Sequence, residues 1–202
     1  MQDFPLLEQD PIVEEPKHRS KRVALSVAIV LLVVILAIAS ALLVRYYVLD
    51  TFTVDGISMY PTLDGGNGAY MDDDKQNGET LFLNKLSKIS RGDIVVFVPK
   101  NGEFSGRPLV KRVIAIGGDH VQIAGNFVYL NGKKLEETYI NLSEVAIYHD
   151  ELDFYVEEGN IFCMGDNRNH STDCRVFGQV SLDTVVGKCF LIKGLDGKLR
   201  KA

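Results

Sequence analysis

The sequence predicts an all-β domain, barrel-like or sandwich-like, set behind one N-terminal transmembrane helix. Three observations lead there. Residues 23–44 carry no charge and are almost wholly apolar. Beyond them come many short β-rich runs separated by glycine-bearing turns. The same region holds no internal repeat and no long soluble helical pattern.

The elements follow in chain order. Residues 1–22 mix acids and bases with Pro5, Pro11 and Pro16, and can bury little, so they read as a disordered cytoplasmic tail. Residues 23–44 would reach about 33 Å as a helix, against a hydrocarbon core of about 30 Å. Lys17, Arg19, Lys21 and Arg22 precede this run, and only Arg45 follows closely. Cytoplasmic flanks collect Lys and Arg, which places the N-terminus inside and residues 45–202 on the extracytoplasmic face. A cleaved signal peptide is the competing reading, because Ala37-Ile38-Ala39 and Ala39-Ser40-Ala41 are small-x-small sites. The run continues past both through Leu42-Leu43-Val44, which favours an uncleaved anchor.

In the outer domain the candidate strands are Phe52–Ile57, Thr80–Leu86, Asp93–Val98, Leu109–Ile116, His120–Ala124, Phe127–Leu130, Asn160–Met164 and Val185–Lys193. Turns punctuate them at Arg91-Gly92-Asp93, Gly117-Gly118-Asp119, Gly125-Asn126 and Asn131-Gly132. Residues 64–79, with Asp72-Asp73-Asp74, and the acidic residues 136–159 read as loops. The aspartate run lacks the spaced ligands of a recognised Ca²⁺ loop, so a solvated loop is preferred. The mild negative balance of the outer part gives no electrostatic case for nucleic acid. Cys163, Cys174 and Cys189 leave at least one thiol unpaired within the chain. Without a C-x-x-C spacing they suggest neither zinc nor a redox motif. They read most simply as small apolar residues in or beside strands.

Ser58 follows a strand and Gly56 and precedes Pro61. Glycine frees the backbone there and proline fixes φ just beyond, so the bend can lift a hydroxyl clear of the sheet. Phe52, Val54, Gly56 and Ser58 share parity and are expected to face one side. Taken alone, a serine in a turn is an ordinary structural residue. Lys111 alters that balance. Leu109, Lys111 and Val113 share one strand face, while Val110, Arg112 and Ile114 share the other, so one face carries a cation into apolar surroundings. A lysine acts as a general base only when neutral, and burial favours the neutral form. Bringing its pKa from about 10.4 to near 8 takes roughly 3 kcal/mol of differential desolvation. Arg112 stays protonated and cannot serve. The competing reading is an edge-strand lysine in solvent. A third segment, Met164 to Arg175, packs turn-formers, hydroxyls and both charge signs together, either as ordinary loop polarity or as a shell that holds a dyad in place.

Four stretches then occur in a telling order. They are Ser58-Met59-Tyr60-Pro61-Thr62-Leu63, Arg91 to Phe97, Lys111-Arg112-Val113-Ile114-Ala115 through Gly118-Asp119, and Gly165-Asp166-Asn167-Arg168 through Ser171, Asp173 and Arg175. With the anchor, this order resembles the bacterial type I signal peptidases (leader peptidases) of the short, single-anchor, Gram-positive-like kind. The resemblance covers roughly residues 23–193. It implies a coiled β-sheet fold and a Ser–Lys serine protease that cuts signal peptides from exported preproteins at the cell membrane. Ser58 matches the nucleophile and Lys111 the general base. Ser171 matches the hydroxyl that hydrogen-bonds the lysine, and Asp173 and Arg175 the structural pair beside it. Some members carry a serine where this chain has Gly56, as a further oxyanion donor. Asn169 and Cys174 stand where Asp and Ser are more usual. The substrate implied is an extended peptide with small residues at the first and third positions before the cut. It would add beside Phe52–Ile57 and Leu109–Lys111, with Phe52, Val54 and Val110 lining shallow pockets. The lipid bilayer is the other partner implied; no cofactor, metal or nucleic acid is.

Two rival readings come from other classes. One is a non-catalytic homologue acting as an assembly factor for surface proteins such as pilins. The other is a self-cleaving repressor with serine–lysine chemistry, which the membrane span and the lack of a DNA-binding helical region disfavour. The tripeptide Arg91-Gly92-Asp93 reads as a turn rather than an adhesion signal. The sequons Asn141-Leu142-Ser143 and Asn169-His170-Ser171 matter only in a glycosylating pathway.

Overall fold

A computed structural model describes residues 17–66, 78–100, 104–140 and 151–202. The chain divides into two compact units, residues 1–43 and 44–202. The first is dominated by helix α1, Lys17–Tyr47, which outruns the apolar stretch at both ends. Every side chain from Lys21 to Tyr47 is exposed. The span Lys21–Tyr47 has a mean hydropathy of 3.3, so it is long and apolar enough to cross a membrane. A helix apolar on all sides has no face suited to water.

The second unit is built from strands β1 Leu49–Thr53, β2 Thr80–Asn84, β3 Ile94–Phe97, β4 Leu109–Ile116, β5 His120–Ala124, β6 Phe127–Leu130, β7 Lys133–Lys134, β8 Leu152–Tyr155, β9 Asn160–Met164, β10 Val180–Ser181, β11 Val185–Lys193 and β12 Leu199–Lys201. One turn of helix, α2 at Cys174–Phe177, follows β9. An eight-stranded, curled sheet runs β1-β2-β11-β3-β4-β9-β10, with β12 paired to β11. A second, four-stranded sheet runs β7-β6-β5-β8. All recorded pairings are antiparallel.

The large sheet buries both faces. Along β3, Ile94 and Val96 join one cluster with Val54, Met59, Leu63, Leu81 and Val110. Val95 and Phe97 join the other with Val113, Cys163, Met164 and Cys174. That alternation is the period-2 rule with core on both sides, and it explains why β3 reads as a continuous apolar run. β4 obeys the same rule until a bulge between Val113 and Ala115, opposite Cys163 and Phe162 of β9.

Two expectations change. The strand foreseen at Phe52–Ile57 begins earlier and ends at Thr53, because Leu49 and Asp50 pair with Asn84 and Leu83. Residues 136–159 are not all loop, since β8 lies within them and pairs with β5. The Asp72–Asp74 run and the Asn141 sequon lie outside the described residues. Arg91 bonds Asp119, and Asp93 meets Lys188 at 2.9 Å. Both charged ends of the Arg-Gly-Asp turn are thus engaged within the domain, and Gly92 takes the positive φ the turn needs.

Candidate active site

The two residues singled out by chemistry meet. Lys111 Nζ lies 2.7 Å from Ser58 Oγ and also donates to the Val110 carbonyl at 3.0 Å. Lys111 points to the face it shares with Leu109 and Val113, which pack in the cluster holding Cys163 and Cys174. It is 3% exposed. Burial pushes its pKa down from 10.5 to about 8, against an opposing pull from the charge of Asp173. The edge-strand reading therefore falls away: this lysine is interior, in a setting that favours its neutral form.

Ser58 reaches the lysine because β1 stops at Thr53 and Gly56, at φ +79°, redirects the chain. The shared parity expected of Phe52, Val54 and Ser58 does not survive that redirection. Val54 packs with Met59, Leu63 and Val110, and Phe52 rests against the same cluster. Ser58 Oγ instead meets a side chain from the opposite face of β4. Val54 and Val110 are core residues at 1% and 4% exposure. A Cβ placed on Gly56 would find nothing within 4 Å, so the side on which a side chain would project there is open.

The loop Gly165–Asp173 holds the serine turn by its backbone. Asn167 N–H donates to the Ser58 carbonyl at 3.0 Å, and Asn167 Nδ2 donates to the Ile57 carbonyl at 3.0 Å. Gly165 makes the approach possible. A Cβ there would sit 2.2 Å from Ser171 Oγ and 2.4 Å from the Ser58 carbonyl oxygen.

Asp173, fully buried, organises this loop. Its Oδ2 accepts from Gly165 N–H at 2.8 Å, Ser171 Oγ at 2.8 Å and Arg175 Nη2 at 2.9 Å, and its Oδ1 accepts from Arg175 Nε at 2.8 Å. It also caps α2 through the Arg175 N–H. Arg175 Nη2 donates onward to the Arg168 and Ser171 carbonyls. The expected Asp173–Arg175 pair is thus present. The Ser171 hydroxyl donates to Asp173 rather than to the lysine, so in this arrangement it braces the loop.

Several residues that hold the site were not singled out from sequence. Arg112, next to Lys111 but on the other face, binds the buried Asp166 through Nε at 2.8 Å and Nη2 at 2.6 Å. It also donates to the Gly92 carbonyl and stacks over the Tyr139 ring at 4.2 Å. Arg168, nearly buried, pairs with Glu137. Asp166 and Arg168 stood inside the polar loop and its motif, but the oppositely charged side chains they meet, Arg112 and Glu137, lie 54 and 31 positions away. The three cysteines are buried thiols. Burial and contact with Cys174 push the Cys163 thiol well up, and burial raises Cys189 to about 11, so neither offers a thiolate at neutral pH. Among the described residues no group of three His, Cys, Asp or Glu side chains comes together as a metal site.

The pairing of a serine hydroxyl with an interior, depressed-pKa lysine is chemistry for acyl transfer. Comparison with known proteins agrees. The family described as "Signal peptidase, peptidase S26" matches residues 26–193. Signal peptidase I T of Bacillus subtilis (strain 168) is 36% identical over 166 residues, covering 76% of this chain and 78% of its own length. Signal peptidase I of Bacillus amyloliquefaciens is 37% identical over the same shares. Signal peptidase I of Bacillus caldolyticus is 36% identical over 71% of this chain and 79% of its own.

Proposed function

This chain belongs to the signal peptidase family, peptidase S26, and on that premise we infer that it is a membrane serine endopeptidase removing signal peptides from exported preproteins, with Ser58 as nucleophile and Lys111 as general base. The observation that carries the reading is the 2.7 Å approach of Ser58 Oγ to a lysine whose pKa is lowered to about 8.

The steps follow from that contact. Neutral Lys111 takes the Ser58 proton as Oγ attacks the scissile carbonyl carbon. The carbonyl oxygen becomes an oxyanion, for which the Ser58 N–H is the available donor beside a side-chain-free Gly56. Collapse breaks the peptide bond, and the departing amine takes the proton back from the Lys111 ammonium. Water then attacks the Ser58 ester, giving its proton to Lys111; the carbonyl carbon–Oγ bond breaks, Lys111 returns the proton to Ser58 Oγ, and the signal peptide leaves with the new carboxylate. The substrate would lie extended along β1, which ends the sheet among the described residues, with part-exposed Phe52 at its side chains and buried Val54 and Val110 behind. Ser171, Asp173 and Arg175 hold the loop against which the serine turn rests. Helix α1 would anchor the enzyme once through the cell membrane. Its basic N-terminal flank lies in the cytoplasm and its β domain outside.

The test is a preprotein assay with the full chain in detergent or vesicles and N-terminal sequencing of the product. Cleavage after small residues at the first and third positions is expected. An intact preprotein throughout would favour the non-catalytic assembly reading instead. Because the neutral lysine is the active form, kcat/KM should climb with pH through about 8 and level off above it. A flat profile between about pH 6 and about pH 9 would exclude a lysine base.

A further inference from the structure

Glu79 is a carboxylate that neither the serine–lysine pair nor its bracing loop uses, yet it is only 7% exposed. It stands immediately before β2, and Arg200 of β12 grips it at both oxygens, Nη1 to Oε1 and Nη2 to Oε2, each at 2.6 Å. Among the described residues, its remaining hydrogen bonds go to the turn that carries Ser58. Its Oε2 accepts from the Asp64 N–H at 3.1 Å. Its backbone carbonyl accepts from Val54 N–H, and its own N–H donates to the Asp64 carbonyl, both at 2.9 Å. Arg200 Nη2 adds a bond to the Thr62 carbonyl at 2.9 Å.

The turn is therefore held on both sides of the serine, at Val54 ahead of it and at Thr62 and Asp64 beyond it. Backbone packing there leaves no slack. A Cβ on Gly65 would fall 2.0 Å from the Gly56 carbonyl oxygen, and one on Gly78 would fall 1.8 Å from the Val54 carbonyl oxygen. Asp64 N–H and the Thr62 carbonyl would each lose a partner if the Arg200–Glu79 pair opened.

We propose that Glu79 and Arg200 are positioning residues for the nucleophile. They form a bidentate clamp that fixes the turn 54–64 so that Ser58 Oγ stays within reach of Lys111 Nζ. This rests on the reading of Ser58 and Lys111 as the dyad. A reacting group displaced by about 1 Å can lose up to about 100-fold in rate, so the clamp acts on turnover rather than on substrate capture. Arginine is needed because its planar fork spans both carboxylate oxygens and still reaches a third acceptor. A lysine offers one charge without that geometry.

The experiment uses the full-length protein in detergent and a fluorogenic signal-peptide substrate, comparing wild type with Arg200→Lys, Arg200→Gln and Glu79→Gln. For each, kcat, KM, thermal unfolding and the pH profile are measured. Arg200→Lys is expected to unfold near the wild-type temperature yet show kcat lowered about tenfold, with KM within about twofold. Arg200→Gln and Glu79→Gln should lose at least as much. The ascending pH limb should keep its midpoint near 8 in all of them, since the surroundings of Lys111 are untouched. If the variants turn over as fast per folded molecule as wild type, with only the unfolding temperature lowered, the pair is structural and the proposal is overturned. A wild-type protein that cuts nothing would overturn the dyad reading instead.

Discussion

Replacing Lys111 with methionine is expected to abolish cleavage while raising the unfolding temperature. The loss should be on the order of 10⁴-fold or more if Ser58 and Lys111 are the proposed nucleophile and base, since such a pair acts as one unit. The gain in stability follows from the sign of the pKa change. The folded protein holds this lysine at about 8, below its ordinary value of 10.5. Between those values the unfolded chain binds a proton that the folded one gives up, so stability rises with pH across that window. Below about 8 the protein bears the full penalty of a buried cation, on the order of 3 kcal/mol at neutral pH. Methionine fills similar volume without it. Calorimetry at about pH 7 and about pH 10 should show the variant's advantage shrinking at the higher pH. A variant less stable than wild type at both would mean that the lysine contributes packing or hydrogen bonds that outweigh its desolvation.

Gly165→Ala should damage both the fold and the serine turn with a single methyl group. The new carbon would land 2.2 Å from Ser171 Oγ and 2.4 Å from the Ser58 carbonyl oxygen, and the second of these is backbone that cannot rotate away. The loop must retreat from the serine turn, straining the Asn167 N–H bond to Ser58 and the Gly165 N–H bond to Asp173. Overpacking of this kind costs about 1–3 kcal/mol of stability. Displacement of Ser58 should reduce kcat by about 100-fold. Thermal unfolding together with kcat on the same preparation would check both. An active, wild-type-stable alanine variant would show that the loop has room that the structure does not display.

The apolar span was legible from a local signal, and the proposed Ser58–Lys111 pair from local signals that the order of four motifs made specific. A charge-free run of membrane length, a serine after a glycine in a turn, and a lysine among branched apolar residues can all be read within a few positions. Strand β8 was legible too, though read as loop. Leu152 and Phe154 alternate with Asp153 and Tyr155 in a half-buried pattern. The acidic residues around it obscured that period. Apart from the Asp173–Arg175 pair, what holds the site was not legible, because it depends on pairs distant in sequence. Glu79 and Arg200 are 121 positions apart, Asn167 and Ile57 are 110 apart, and Arg112 and Asp166 are 54 apart. Nothing in either neighbourhood names the other. Val54 and Val110 illustrate a subtler failure. Both were expected to line shallow pockets and are nearly sealed in the core, a distinction that strand alternation alone does not make.

Lys111 and Arg112 are neighbours on one strand, and each commands a different side of it. The first projects a group that must shed its proton, the second a group that never does. A slip of β4 by one residue would exchange them, offering guanidinium to Ser58 and leaving Asp166 to an amine. The bulge between Val113 and Ala115 lies one residue beyond Arg112, opposite Cys163 and Phe162, and bulges pin the register of the strand that carries them. The bulge thus works as a detent. It converts the alignment of one strand, normally a matter of folding alone, into a condition on which proton chemistry is available at Ser58.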